Sequence, residues 1–350
     1  MKVALITDLH LGVHRSSDVY LQSQKRFFFE QFIPYLEDNN INTVIIPGDV
    51  FDTRHSINVK ALNFAYELFE KLRKYSIYIV IGNHDIFFTN TTDTTSLVFL
   101  NKFDNIELIK ETTIIKNFGA VSKDILFVPW QTNPDDFTNY ILEENPKADV
   151  CIGHFDIAGF QMVKNHVSEN GYTPKLFSNF KLTFSGHFHI RSVDKKKGTE
   201  IIYLGTPYAM DRNDASEPKG FCVLNLDNLE YEFVENEVSF KYVEVKYPQN
   251  LDETTIKGNV VNLTVEWDEN FEEKKYNEFM EELTKLAPLD IREHHISNFV
   301  DMSEIKSLED LDATKDMKQL LIGSVDEILS EHEKLDKIKN IVVELYEETK

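Results

Sequence analysis

The sequence predicts an α/β fold of layered sheets flanked by helices, and three observations carry that expectation. Short apolar runs, among them Val3-Ala4-Leu5-Ile6, Val44-Ile45-Ile46, Tyr78-Ile79-Val80-Ile81, Val150-Cys151-Ile152 and Leu182-Thr183-Phe184, read as buried strands. Two stretches, Ser23 to Asn39 and Asn58 to Tyr75, carry apolar residues at three-to-four spacing, and each leads into another strand, which is the βαβ pattern. Strand-like runs then crowd the segments Asn105 to Pro129 and Glu200 to Val234, the second with Asp227-Asn228 as a hairpin turn between Phe221-Cys222-Val223-Leu224 and Glu230-Tyr231-Glu232-Phe233. A boundary falls near Glu235 to Phe240. Beyond it, strand-like Tyr242 to Tyr247 and Val260 to Val265 with a helical Glu272 to Leu286 suggest a small α+β unit. The expected division is 1–235, 236–300 and 301–350.

What the strands lead into is more informative than the strands. Asp8-Leu9-His10, Gly48-Asp49-Val50-Phe51-Asp52, Gly82-Asn83-His84-Asp85, Gly153-His154 and Gly186-His187-Phe188-His189 each follow an apolar run. Carboxylate, imidazole and amide oxygen are ligands of hard or borderline divalent metals. Side chains two apart on a strand point the same way, so Asp8 and His10 are expected to face one ion, with His187 and His189 repeating the arrangement. A lone Asp-x-His or a lone Gly-Asn-His-Asp is as easily a turn with a capping carboxylate. The ordered set is a stronger signal, since five of the chain's 11 histidines fall in it, at the ends of runs that all read as strands.

That set suits phosphodiester cleavage, which needs a nucleophile at neutral pH, charge neutralisation on an anionic phosphate and help for a departing alkoxide. Two cations about 3.5 to 4 Å apart supply the first two. A histidine paired with a carboxylate can supply the third as a general acid. Oxygen and nitrogen ligands without thiolate favour Mn²⁺ over a structural zinc, and imidazole makes Mg²⁺ the weaker candidate.

With Val128-Pro129-Trp130, Ser185-Gly186-His187-Phe188-His189 and Tyr203-Leu204-Gly205-Thr206-Pro207 in the same order, the chain resembles the calcineurin-like metallophosphoesterase superfamily. Within it, the chain is similar to the nuclease subunits of SbcCD-type double-strand-break repair complexes, the T-even phage recombination endonuclease subunits above all. The resemblance covers roughly residues 1 to 235 and the rest in outline. It implies a four-layer αββα sandwich with a C-terminal capping domain and terminal helices. It also implies a ligand set: Asp8, His10, Asp49 and His189 on one metal, Asn83, His154 and His187 on the other, with Asp49 bridging. His84 is then no ligand but faces the scissile phosphate, and Asp52 resembles the acidic partner that orients it. Asp85 is expected to brace the Gly-Asn-His turn by local hydrogen bonds.

Composition bounds the remaining possibilities. The chain of 350 residues is 42% hydrophobic and 27% charged, an ordinary globular balance. Cys151 and Cys222 lie far apart in strand-like runs, so reduced core thiols in a reducing cytoplasm are expected. Met1-Lys2 runs directly into the first strand, so no signal peptide is expected, and no apolar run approaches a membrane span; a phage-encoded chain would be expected to work in the host cytoplasm. The net charge of -22 argues against a DNA-coating protein, because affinity for duplex comes from Lys and Arg on phosphates. Part of that acidity belongs to the metal site, and a partner can lend basic surface. Arg54, His55, Lys164, His166 and the stretch Arg191 to Lys197 are the chain's own candidate contacts, against the plainer reading of exposed surface charge.

Residues 301–350 hold 14 Asp or Glu and 7 Lys or Arg. Here Leu321, Val325, Ile328, Leu335, Ile338, Val342 and Leu345 fall mostly three, four or seven apart, an amphipathic stripe. Such a stripe packs on its own domain or docks on a partner. The resemblance favours docking onto the coiled-coil root of an SMC-like ATPase, in a heterotetramer with a nuclease homodimer. It implies a Mn²⁺-dependent DNA nuclease in recombination, repair or replication-linked processing of DNA ends; family members cut duplex exonucleolytically, usually 3′ to 5′, and single strands or hairpins internally, and the sequence fixes neither polarity nor the balance between the two. Two rivals stand beside it: a phosphomonoesterase or small-molecule phosphodiesterase on the same ligands, and a non-catalytic scaffold, which loss of ligands would mark.

Overall fold

Alternation along each strand decides the architecture of the computed structural model, which describes residues 1–267 and 271–297 apart from 164–165, 197–198 and 215–216. The first sheet runs in the order Tyr231–Glu235, Gly220–Asn225, Lys2–Leu5, Thr43–Ile46, Ser76–Val80, Ile106–Ile109. The second runs Ser192–Lys196, Thr199–Tyr203, Leu182–Gly186, Val150–His154, Ile125–Val128, Thr113–Ile115. Val3, Leu5, Ile45 and Val80 of the first sheet meet Ile125, Phe127, Val150, Ile152 and Phe184 of the second in one buried cluster. Side chains one position along point the other way. Thus Ala4, Val44, Ile46, Ile77 and Ile79 pack under Phe27, Phe28, Phe32, Phe64 and Leu68 of the helices on the outer face. Leu126, Val128, Cys151, Ile201 and Tyr203 pack under Phe137, Ile141 and Phe177. The result is helix, sheet, sheet, helix: the four-layer αββα arrangement.

Burial on both faces explains why the strands read as continuous apolar runs. The central strands Lys2–Leu5, Thr43–Ile46, Ser76–Val80 and Ile106–Ile109 pair in parallel, so their C-terminal ends lie along one edge. In the second sheet Ile125–Val128, Val150–His154 and Leu182–Gly186 do likewise. The first helical stretch is longer than the sequence pattern indicates: Asp18–Arg26 and Ile33–Asp38 are joined through a π-helical Phe27–Phe32, which sinks Phe27, Phe28 and Phe32 into the core. The second helix, Val59–Lys71, starts at Asn58, whose side chain accepts the Lys60 N–H.

A third sheet, Tyr242–Tyr247, Val260–Trp267 and Asp290–Ser297, packs on the helix Glu273–Lys285 through Val245, Val261, Leu263, Val265 and Leu283. Phe240, Tyr242 and Val260 meet Tyr20 and Ala209 of the sandwich, and Arg292 donates to the Tyr20 hydroxyl at 3.0 Å. Cys151 and Cys222 are both buried free thiols. Among the described residues, no helix is long and apolar enough to cross a membrane. The stripe from Leu321 to Leu345, with Val325, Ile328, Leu335, Ile338 and Val342, lies outside the described residues.

Candidate metal centre

The site forms where the two sheets' strand ends meet, and its backbone departs from the extended geometry that the Asp-x-His spacing suggests. Asp8 and His10 lie beyond the strand end with φ of 52° and 39°; Asp49 and His187 take 56° and 86°. These left-handed conformations cost non-glycine residues about 1 to 3 kcal/mol each and persist only where the surroundings hold them. Here main-chain pairing does so. The amides of Asp8, His10 and Leu11 donate to the carbonyls of Gly48, Asp49 and Val50 at 3.1, 3.1 and 2.9 Å, so the two loops run side by side. Asp8 and His10 face one point because the chain turns there; strand alternation is the wrong reason.

Close approach of the loops demands small residues. A Cβ on Gly82 would fall 2.2 Å from Asp49 Oδ1, and one on Gly48 would fall 2.4 Å from His154 Nδ1. A Cβ on Gly186 would meet Thr7 Oγ1 at 2.3 Å. Gly48 and Gly82 therefore leave room for a functional side chain of the neighbouring loop, and Gly186 for Thr7.

Two donor groups result: Asp8 with His10 and His189, and Asp49 with His154 and His187, the atoms of each within 4.8 Å of one another. Asp49 links them, its Oδ2 lying 3.3 Å from His154 Nε2 and 3.8 Å from His10 Nε2. Asn83 Oδ1 lies 2.8 Å from His154 Nε2 and 3.0 Å from His187 Nδ1. His10 and His189 point their Nε2 atoms at each other across 3.2 Å. His154 Nδ1 donates to the Pro47 carbonyl at 2.7 Å, which directs the Nε2 lone pair of the neutral ring into the site.

The field favours positive charge. Burial opposes a charge on His154, but the carboxylates of Asp49 and Asp8 overrule it and raise the ring to about 9. For Asp49, burial is likewise outweighed by His154, His10 and His84, which hold its carboxyl below the usual range. Burial raises Asp8 to about 6, and burial with the neighbouring His154 lowers His187 to about 3. Buried carboxylates, imidazole nitrogens and an amide oxygen, with no thiolate, make a donor set that fits hard or borderline divalent cations.

His84 stands at the rim, its ring 4.9 Å from that of His10 and its amide donating to Asp49 Oδ1 at 2.9 Å. Its Nδ1 lies 2.6 Å from the main-chain carbonyl of Asp52. This differs from the expected contact: the Asp52 carboxylate turns instead to His10, at 3.5 Å from Nδ1. Asp85 reaches further than a local brace. It accepts from Gly82 N at 2.9 Å, and also from Asp49 N and Val50 N at 2.9 and 3.0 Å, tying two motifs together. Burial and the Asp49 charge push its carboxyl up to about 7.

Further supports lie outside the expected ligand set, although Thr206 and Trp130 belong to the Tyr203-to-Pro207 and Val128-to-Trp130 motifs. Lys219, buried with Asp214 in an ion pair, donates to the His189 carbonyl at 3.2 Å and to Thr206 Oγ1 at 2.7 Å. Gln24 Nε2 donates to the carbonyl of His10 at 3.2 Å. Trp130 stacks obliquely on His187 with centroids 5.0 Å apart. Of the candidate DNA contacts, His55 and His166 are exposed and Arg54 partly so, whereas Lys164 and Lys197 lie outside the described residues. Arg191 is no exposed surface charge: it is mostly covered, its guanidinium 4.2 Å from the Phe233 ring centroid and 3.9 Å from Glu235.

The chain is similar to known nucleases. It is 28% identical over 297 residues to Exonuclease subunit 1 of Enterobacteria phage T4, covering 82% of each chain. It is 25% identical over 256 residues to a subunit of the nuclease SbcCD of Staphylococcus epidermidis, covering 65% of this chain and 67% of that one. The calcineurin-like phosphoesterase family model matches residues 1–191, which span every donor from Asp8 to His189. On a match to more than half its length, with both donor groups inside it, the chain belongs to the calcineurin-like phosphoesterase family and is a phosphoesterase of that fold.

Proposed function

We propose that this phosphoesterase is a DNA nuclease subunit that holds two Mn²⁺ ions and works with an SMC-like ATPase on DNA ends, in the cytoplasm. The observation that carries the reading is Asp49 Oδ2 set between two buried donor groups, with His84 at the rim beside them. Asp8, His10, Asp49 and His189 would hold one ion, and Asn83, His154 and His187, with Asp49 shared, the other. When bound, the pair would supply an activated water and neutralise the phosphate.

The chain's own groups do the rest. The Asp52 carbonyl accepts the Nδ1 proton of His84, leaving Nε2 to carry a proton toward the leaving oxygen. The Asp52 carboxylate steadies His10, and Asp85 sets the spacing of the Asp49 and Asn83 loops. All seven proposed ligands and His84 are present, which disfavours a scaffold without catalysis. Cleavage of defined DNA ends in Mn²⁺, with and without the ATPase, tests the reading. Turnover of small phosphomonoesters faster than DNA would assign the site to the phosphomonoesterase rival.

Two expectations follow for partners. With a net charge of -22, the isolated chain should bind duplex DNA weakly and with steep salt dependence, and the ATPase should tighten it. A titration giving nanomolar affinity at physiological salt without the ATPase contradicts this. The stripe at Leu321, Val325, Ile328, Leu335, Ile338, Val342 and Leu345 would dock in a groove of the partner. Ile328→Glu with Leu335→Glu should then abolish co-purification of the ATPase while Mn²⁺ binding and basal cleavage of a short single strand survive. Loss of folding in that double variant would assign the stripe to the chain's own core.

A further inference from the structure

We propose that His55, Phe87 and Phe88, with Arg54 next to His55 in the chain, form a stacking platform for an unpaired DNA base next to the scissile phosphate; this rests on the nuclease reading above. Both loops that carry the platform are rooted in the candidate site. One continues from Asp52, whose carbonyl meets the His84 ring, to Arg54 and His55. The other leaves Asp85 as a narrow arm: Phe87 N donates to the Thr94 carbonyl at 2.9 Å, Ile86 pairs with Thr95, and Ser96 N returns to the Asp85 carbonyl at 2.9 Å. Phe87 is three residues from His84, as His55 is from Asp52.

The arm meets the first loop through its rings. His55 and Phe87 lie edge to face at 5.3 Å and 89°, and Phe87 and Phe88 at 4.8 Å and 78°. Edge-to-face contact turns the edge of one ring to the face of the next, and Phe87 and Phe88 remain 38% and 48% exposed. A single exposed apolar side chain needs no explanation. Adjoining, partly exposed aromatic rings from two loops, both fastened to groups of a phosphoester-cleaving site, form an aromatic surface at a fixed place. Arg54, next to His55 in the chain, adds a cation to the same loop; it has no ion-pair partner among the described residues.

In a chain of net charge -22, an unpaired arginine on the loop that carries one of these exposed rings is complementary to a ligand that is anionic and also presents flat apolar faces. A nucleotide is such a ligand, its phosphate on the cation and its base on the ring. Bases within a duplex already spend both faces on their neighbours, so the platform selects unpaired or frayed nucleotides. Stacking of this kind tolerates any base, which suits an enzyme that processes ends of varied sequence.

The test is a cycle between protein and DNA, run with the full chain and Mn²⁺ on a single-stranded oligonucleotide with one abasic residue placed at successive positions beside the cleaved bond. Wild-type cleavage should fall on the order of tenfold or more at one of these positions. Phe87→Ala with Phe88→Ala should cleave the intact strand at a comparably reduced rate and be indifferent to the abasic residue. Phe88→Trp should keep the wild-type dependence. Equal wild-type rates on intact and abasic strands, or a double alanine variant as sensitive to the missing base as wild type, overturns the platform. Absence of cleavage of every DNA by wild type overturns the nuclease reading itself, which separates the two failures.

Discussion

Asp49→Ala will lose bound metal and activity together, whereas His84→Ala will keep the metal and lose rate. The separation comes from where the two side chains sit. Asp49 Oδ2 is 3.3 Å from His154 Nε2 and 3.8 Å from His10 Nε2, so its removal takes a donor from its own group, the proposed shared carboxylate from the other, and the negative charge that favours cations at His154. Its Oδ1 also anchors the His84 amide. His84 lends no atom to either donor group; its ring is held by a carbonyl at Nδ1. Removing a general acid typically costs about 10² to 10⁴ in rate. Metal analysis of the purified variants, beside cleavage rates in Mn²⁺, reads both quantities. A His84→Ala protein purified empty of metal would mean that the histidine is a ligand and the division of roles is wrong.

Much of this site was legible because strand ends impose order on it. Continuous apolar runs mark strands buried on both faces, and residues just beyond such runs in parallel sheets come to one edge, so Asp8, Asp49, Asn83, His154 and His187 could be placed together without coordinates. The local geometry was less legible. Alternation suggests that Asp8 and His10 share a face of an extended strand, yet they share a point through left-handed turns that pairing with the 48–50 loop holds in place. Asp52 shows the same limit: the resemblance to the family singles it out, but which of its oxygens meets His84 depends on how the loop turns. The Pro47 carbonyl on His154 and the Lys219 ammonium on the His189 carbonyl carry no signal at all, because main-chain acceptors are independent of residue type and their partners lie 107 and 30 residues away. The π-helical turn at Phe27–Phe32 was also hidden, since its phenylalanines satisfy an ordinary helical spacing as well.

Asp85→Ala is expected to destabilise the chain by about 3 kcal/mol or more, although Asp85 belongs to neither donor group. The side chain is fully buried and accepts the N–H groups of Gly82, Asp49 and Val50. Alanine leaves all three donors buried without a partner, at about 1 to 3 kcal/mol each. The buried charge of Asp85 is itself unfavourable, as its carboxyl raised to about 7 by burial and by Asp49 records, so the value of the residue lies in its acceptors. Asp85→Asn separates the two contributions. With its amide oxygen in the place of Oδ2, it keeps the bonds to Gly82 and Asp49, sheds the charge and loses only Val50, against whose N–H the amide nitrogen would sit. The loss in Asn should therefore be the smaller, about one unsatisfied N–H or less. Denaturant unfolding of the two variants gives the order, and metal content reports whether the Asp49 and Asn83 loops have drifted apart. An alanine variant as stable as wild type would show that the three N–H groups find other partners. In that case the 82–85 turn and the 49–50 turn are held by the sheet alone, and Asp85 does not couple them.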